Sequence, residues 1–136
     1  PEEKQMGLAD YGYHLGLAFQ MVDDLLDYSE STATIGKSVG ADLKEGKLTL
    51  PVIYALQQAE SADRQKMEQI IQDDHFSVAA FEILKEMLRQ HGGIAYTENL
   101  AMEHVTKAKN ALNSFEASET RDILVDIADY AVSRKL

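Results

Sequence analysis

The 136 residues of this chain include 13 lysines and arginines against 23 aspartates and glutamates, which gives a formal net charge of −10 at neutral pH. This charge argues against a nucleic-acid partner, and a phosphate group bound here needs a local basic cluster or a metal ion. The lack of cysteine excludes disulfides, cysteine-ligated zinc, iron–sulfur clusters and thiol catalysis. The length suits a single domain, residues 1–136. No signal peptide and no apolar run of about 18 residues is evident, so we expect a cytoplasmic protein without a transmembrane segment.

Strong helix formers dominate the chain, and its only prolines are Pro1 and Pro51. We therefore predict an all-α fold, a helical bundle. A long helix is expected over residues 4–28, an irregular segment over residues 29–48, and four or five further helices after it. Capping residues predict the later helix starts, and a glycine pair separates two helices: Thr49, Ser61, Ser77, Ser118 and Gly92-Gly93.

One face of the first predicted helix is acidic. Four polar residues fall within roughly 100° of arc on it, and we call them the acidic stripe: Gln20, Asp23, Asp24 and Asp27. Three carboxylates within one turn repel one another, and a divalent cation between them removes that cost. Oxygen ligands suit a hard ion such as Mg²⁺, which keeps open positions that substrate phosphates can fill.

The irregular segment that follows is the most basic part of the chain. It contains three glycines and three lysines, namely Gly36, Gly40, Gly46, Lys37, Lys44 and Lys47. Long loops inside compact domains are usually functional or disordered. An acidic helix face or a lysine-bearing loop alone is more often simply solvated, but their order and spacing together favour a functional site.

These residues carry a family resemblance. Residues 19–27, Phe-Gln-Met-Val-Asp-Asp-Leu-Leu-Asp, are followed by Gly36-Lys37, Asp42-Leu43 and residues 46–51, Gly-Lys-Leu-Thr-Leu-Pro. Together they resemble the second aspartate-rich region of the trans-polyprenyl diphosphate synthases, above all the bacterial octaprenyl and related long-chain enzymes. The resemblance covers residues 16–51, and the helical remainder is compatible with the C-terminal part of that family's isoprenoid-synthase fold.

The resemblance implies a Mg²⁺-dependent, homodimeric prenyltransferase that condenses an allylic diphosphate with isopentenyl diphosphate. Asp23 would ligate Mg²⁺, with Asp24 and Asp27 holding metal-bound water or completing the shell. Lys37 and Lys47 would be the catalytic cations, binding the allylic diphosphate and stabilising it as a leaving group. Phe19 and Gln20 would line the substrate cavity.

The sequence also departs from the family pattern. The family's first aspartate-rich motif is missing, and the other adjacent aspartate pair, Asp73-Asp74, lies in a predicted turn and is interpreted as solvated. We therefore expect this chain alone to be inactive and to form the C-terminal portion of a longer synthase. Two alternatives remain: a non-catalytic, diphosphate-binding or regulatory helical subunit, and a plain helical interaction module. Asp10 and His14, one helical turn apart, favour a simple polar pair over a metal site.

Overall fold

The computed structural model describes residues 1–29 and 41–133. These residues are helical and form no strand, which confirms the all-α prediction. In chain order the α-helices are α1 (Glu2–Ser29), α2 (Ala41–Lys44), α3 (Leu50–Gln58), α4 (Ser61–Gln72), α5 (Val78–Gln90), α6 (Gly93–Asn110) and α7 (Glu119–Ser133). A 3₁₀ turn, Ala111–Ser114, follows α6. None of the helices in the described ranges is long and apolar enough to span a bilayer.

Most helix boundaries fall where local chemistry predicts them. Ser77 caps α5, with its Oγ accepting a hydrogen bond of 3.0 Å from the Ala80 N–H. The Ser118 Oγ accepts an equivalent bond of 3.0 Å at the start of α7. The prediction for Ser61 is wrong by one residue, because Glu60 occupies the N-cap position of α4 without a capping side-chain bond. Within the segment expected to be irregular, residues 29–48, Ala41–Lys44 form α2, a helix of one turn.

Two compact units divide the chain, and the expectation of a single domain over residues 1–136 stays a prediction. Among the described residues, unit 1 contains residues 1–22 and 98–133, whereas unit 2 contains residues 23–29 and 41–97. The core of unit 1 is built from small and medium-sized apolar side chains of α1, α6, the 3₁₀ turn and α7, with one tyrosine: Tyr11, Ala18, Val105, Ala108, Leu112, Ala128 and Ala131. The Tyr11 hydroxyl donates a 2.7 Å hydrogen bond to the Leu124 carbonyl.

Unit 2 has a larger apolar core, to which Met67, Leu84 and Leu88 contribute fully buried side chains. Phe81 lies at its centre and stacks with two aromatic rings, Tyr28 at 5.7 Å and Phe76 at 5.8 Å between centroids. This packing fixes the end of α1 against α5. The C-terminal part of α1, which carries the aspartates of the acidic stripe, therefore lies on a well-packed support.

A close helix–helix approach fixes the start of α3 in unit 2. Thr49 is its N-cap residue, as predicted, although the Thr49 hydroxyl makes no capping bond, and Pro51 lies in its first turn. Gly93, the first residue of α6, is buried against the Pro51 carbonyl and the Ala55 side chain. Gly92 before it has a φ of +80°, a conformation that glycine adopts without strain. The predicted glycine break between two helices is thus confirmed.

Candidate functional site

The three aspartates of the acidic stripe lie within about one turn of α1, because Asp23 and Asp27 are four residues apart and a helical turn has about 3.6 residues. Their exposure differs: Asp23 is exposed, Asp27 is half-buried and Asp24 is only 8% exposed. The opposite side of the helix is apolar, with Val22 and Leu25 buried. The stripe therefore runs from solvent into the protein, which gives a bound ion both accessible and sheltered carboxylate oxygens.

The position of the stripe along α1 adds to its negative potential. The C-terminal end of a helix carries a partial negative charge, which cations stabilise and anions do not. α1 ends at Ser29, and its last turn contains Asp27 but no basic residue. Carboxylate repulsion and the helix dipole thus act in the same direction. A cation bound beside these residues would relieve both costs.

The donor set fits a hard divalent ion. Carboxylate oxygens are the ligands that Mg²⁺ prefers, and Mg²⁺ is commonly bound through one or two carboxylates with waters and phosphate oxygens in the other positions. In the described ranges no three His, Asp or Glu side chains are arranged so that they could hold an ion by themselves. An ion bound at the stripe would therefore need water or phosphate oxygens in addition to the carboxylates.

Of the two predicted catalytic lysines, one falls within the described residues. Lys47 is exposed in the short connection between α2 and α3, in the same compact unit as the three aspartates. Gly46 before it has a φ of +80° and donates a 3.0 Å backbone hydrogen bond to Leu43, which is buried. Lys47 is therefore anchored on both sides, by this turn and by the start of α3. Lys37 lies outside the described residues.

A further lysine of the basic segment, Lys44, ends α2 and lies over the Phe76 ring, with its Nζ 5.9 Å from the ring centroid. This is a cation–π distance, so Lys44 has a structural contact within unit 2. Its position three residues before Lys47 adds positive charge to the same stretch of chain. Lys44 and Lys47 are the described part of the predicted basic cluster.

The two residues predicted to line the substrate cavity precede the aspartates on α1 and belong to unit 1. Phe19 is half-buried and packs against the core of unit 1, while Gln20 is exposed. Gln20 thus lies on the polar side of the helix, as the stripe requires. Their contact with substrate stays a prediction.

Other candidate residues have simpler roles or other partners. Asp73 and Asp74 are both exposed, and the Asp73 Oδ1 accepts a 2.8 Å hydrogen bond from the His75 backbone N–H. This turn agrees with the solvated interpretation of that pair. The His14 ring contacts His104 on α6 at 2.9 Å between Nδ1 atoms. No sequence signal links two residues 90 positions apart, and this pair was therefore missed.

Comparison with known proteins identifies a matching family model and similar sequences. The family model for polyprenyl synthetase matches residues 1–88. The chain is 38% identical over 128 residues to a short chain isoprenyl diphosphate synthase of Methanothermobacter thermautotrophicus, covering 94% of this chain and 39% of that protein. It is 37% identical over 133 residues to the octaprenyl diphosphate synthase of Haemophilus influenzae, covering 98% of this chain and 40% of that protein.

Solved structures give the same result. A decaprenyl diphosphate synthase from Rhodobacter capsulatus matches with a TM-score of 0.87 and 38% identity, over 98% of this chain and 41% of that one. A polyprenyl synthase from Caulobacter crescentus, solved with calcium and isoprenyl diphosphate, matches with a TM-score of 0.87 and 39% identity, over 100% and 42%. The chain thus spans about two fifths of the length of the proteins it matches, and it has their helical fold.

Proposed function

Because this chain belongs to the polyprenyl synthetase family, we propose that it supplies the allylic-diphosphate half of a trans-polyprenyl diphosphate synthase. The observation that carries the proposal is the three neighbouring aspartates near the end of α1 together with Lys47 in the same compact unit. The substrates proposed are an allylic prenyl diphosphate and isopentenyl diphosphate. The octaprenyl synthases among its relatives support a long-chain, octaprenyl product.

The proposed roles follow from charge. Asp23, with Asp24 and Asp27 behind it, would hold Mg²⁺, which when bound neutralises diphosphate charge and orients the leaving group. The proposal is supported by a similar polyprenyl synthase that was solved in complex with calcium and isoprenyl diphosphate. The exposed Asp23, the half-buried Asp27 and the sheltered Asp24 can ligate the ion directly or through water.

The lysines would act on the substrate itself. When the allylic C–O bond breaks, negative charge accumulates on the departing diphosphate, and a fixed ammonium group stabilises that charge more than it stabilises the ground state. Lys47 is suited to this role because the turn at Gly46 and the start of α3 hold its backbone on both sides. Lys37 is proposed as its partner. Gln20 and Phe19 would border the prenyl chain near the diphosphate.

The alkylation step needs groups beyond these. The allylic cation adds to the double bond of isopentenyl diphosphate, and loss of a proton restores a double bond. We propose that this chain binds metal and diphosphate by itself but does not turn over, because the family's first aspartate-rich motif, which binds further metal ions, has no counterpart in the sequence. The proposed active form is a longer, homo-oligomeric polypeptide that contains these residues.

The first test is Mg²⁺-dependent binding of inorganic pyrophosphate to the 136-residue chain, measured by isothermal titration calorimetry. We expect Asp23→Asn and Lys47→Gln to weaken binding by about tenfold or more, since each removes a charge that faces the ligand. The matched controls are Asp74→Asn and Lys66→Gln, which alter exposed charges on other segments. Equal losses in the controls would show that net charge, and not this site, binds pyrophosphate.

The second test is prenyl transfer by the natural polypeptide that carries this sequence, measured as incorporation of labelled isopentenyl diphosphate onto an allylic primer. We expect Lys47→Gln and Asp23→Asn to lower kcat by about 10²- to 10³-fold, the usual effect of removing one preorganised transition-state charge. Pyrophosphate binding without any transfer would support the regulatory subunit instead. Normal turnover in both variants would refute the roles assigned to these residues.

A further inference from the structure

A pair of histidines joins two helices within unit 1. His14 on α1 and His104 on α6 place their Nδ1 atoms 2.9 Å apart, which is a hydrogen-bond distance. The ring centroids are 5.1 Å apart and the planes are inclined by 24°, so the rings meet end to end with the two nitrogens facing each other. Tyr13 packs edge-on against the His14 ring, at 5.1 Å between centroids. The contact is therefore a direct hydrogen bond between a ring on α1 and a ring on α6.

The pair lies at the edge of the core of unit 1, and both histidines are half-buried. Ala18 follows His14 by one turn of α1, Ala108 follows His104 by one turn of α6, and both alanines are fully buried in that core. Residues four apart lie on the same face of a helix. The pair thus continues the packed faces of both helices, and a change in the distance between the rings acts on the packing of α1 against α6.

Two facing ring nitrogens permit only some protonation states. The hydrogen bond needs one ring to donate its Nδ1–H and the other to accept with an unprotonated Nδ1. A neutral pair meets this condition. A pair with one additional proton also meets it, because a charged ring can donate to a neutral one, and such charge-assisted bonds are stronger. When both rings are charged, each Nδ1 carries a proton, so no acceptor remains and two positive charges face each other.

The surroundings of the pair oppose the second charge. Burial lowers the pKa of His104, with smaller contributions in the same direction from His14 and Lys107, while Glu103 acts against them. Glu103 and Lys107 are exposed on α6, and Asp10, one turn before His14, is exposed on α1. Among the described residues, no charged side chain of α7 or of the 3₁₀ turn is among the groups that shift this pKa.

A second histidine contact in the chain shows what the pair lacks. His91 in unit 2 has a carboxylate partner, since its Nε2 lies 2.8 Å from the Asp63 Oδ2. In the described ranges neither His14 nor His104 forms an ion pair. Protonation therefore strengthens the contact of His91 with Asp63, whereas protonation of both rings breaks the contact of His14 with His104.

We propose that His14 and His104 form a pH-sensitive switch between α1 and α6. The contact holds when the pair carries no additional proton or one, and it opens when both rings are charged, which loosens the packing of the two helices in unit 1. Opening is confined to the acid side of the range in which histidines titrate. The switch uses neither the acidic stripe nor Lys47, so it is independent of the function proposed above.

The test is a double-mutant cycle on the 136-residue chain, in which His14→Phe, His104→Phe and the double variant are compared with the unsubstituted chain by urea denaturation. Phenylalanine keeps a ring at each position and removes the nitrogens. At pH 7.5 the pair should raise the folding equilibrium constant by about 3- to 10-fold beyond the product of the single effects. At pH 5.5 this coupling factor should fall to about one or below.

The matched control is the same cycle on the other pair, with His91→Phe and Asp63→Asn, where coupling should persist or increase at pH 5.5. Nuclear magnetic resonance titration of the unsubstituted chain tests the proposal even if a variant unfolds, with the exposed His75 as reference. His14 and His104 should titrate in two steps at least one pH unit apart, about a tenfold difference in proton affinity. No coupling at pH 7.5, an undiminished factor at pH 5.5, an equal fall in the control pair, or simultaneous titration of both rings would overturn the proposal.

Discussion

The contact between Gly93 and Pro51 offers a sharp test of how the start of α3 is held. A Cβ added at Gly93 would collide with the Pro51 carbonyl oxygen and come within 3.0 Å of the Pro51 carbonyl carbon. These are backbone atoms, so no side-chain rotation can relieve the overlap. It would also meet the Ala55 Cβ at 3.3 Å. Gly93→Ala must therefore push α6 and α3 apart.

The magnitude follows from two opposing contributions. Alanine gains up to about 1 kcal/mol over glycine in helix propensity, and less at a first helical position such as Gly93. Overpacking in a buried contact costs about 1–3 kcal/mol, and a rigid backbone neighbour favours the upper part of that range. The net expectation is a loss of about 1–2 kcal/mol in the free energy of unfolding, or a fall of roughly 5 °C in Tm.

The matched control lies on α1. A Cβ added at Gly12 has no atom within 4 Å, and Gly12 is an exposed position in the middle of a helix. Gly12→Ala should therefore stabilise the chain by about 0.5–1 kcal/mol, because only the propensity gain remains. The same substitution is thus predicted to have opposite signs at two helical glycines.

Urea denaturation followed by circular dichroism measures both variants, and pyrophosphate titration measures the effect on the site. Pro51 lies four residues after Lys47, so Gly93→Ala should weaken Mg²⁺-dependent pyrophosphate binding a few-fold, whereas Gly12→Ala should not. A Gly93→Ala chain as stable as the unsubstituted one would refute the close approach. A destabilised Gly12→Ala chain would refute the claim that this position is open.

Three further predictions concern single contacts. Ser77→Ala removes the side-chain cap of α5 and should lower the free energy of unfolding by about 1 kcal/mol, measured by urea denaturation; an unchanged midpoint would mean that the cap contributes nothing. Tyr11→Phe removes the part-buried hydrogen bond to the Leu124 carbonyl and should cost about 1 kcal/mol, a prediction that fails if thermal unfolding is unaltered. Burial keeps the folded-state pKa of His104 below its unfolded value near 6.5, so its contribution to stability is complete above that pH and is lost as the pH falls through the folded pKa. Replacing His104 with Gln should flatten this part of a Tm-against-pH curve, and a curve with the same acid slope would contradict the assignment.

Features that depend on neighbours in sequence were predictable. The caps at Ser77 and Ser118 and the break at Gly92-Gly93 depend on bonds or backbone angles within a few residues. Ser61 shows the limit of this reasoning. A serine before a helical pattern suits either the cap or the first helical residue, and in this chain the helix begins one residue earlier than the cap interpretation required.

In the candidate site, too, features fixed by nearby residues could be predicted, whereas features fixed by tertiary packing could not. The acidic stripe could be predicted because residues at i, i+1 and i+4 share a helix face whatever surrounds the helix. The burial of Asp24 beside the exposed Asp23 could not, since it depends on what packs against α1. The pairing of His14 with His104 depends entirely on tertiary structure, because the two residues are adjacent only after α6 has packed on α1. The substrate contacts of Phe19, Gln20 and Lys37 remain predictions.

The end of α1 has a consequence for the lifetime of the protein in a cell. A helix that terminates in carboxylates with no basic residue in its last turn is least stable when the proposed site is empty. Ligands that bind only the folded state shift the folding equilibrium in proportion to their concentration over Kd, and proteases act on the population that opens. If the proposed site binds Mg²⁺ and a diphosphate, a fall in either ligand would therefore raise the rate of proteolysis, and the abundance of the protein would follow the supply of those ligands.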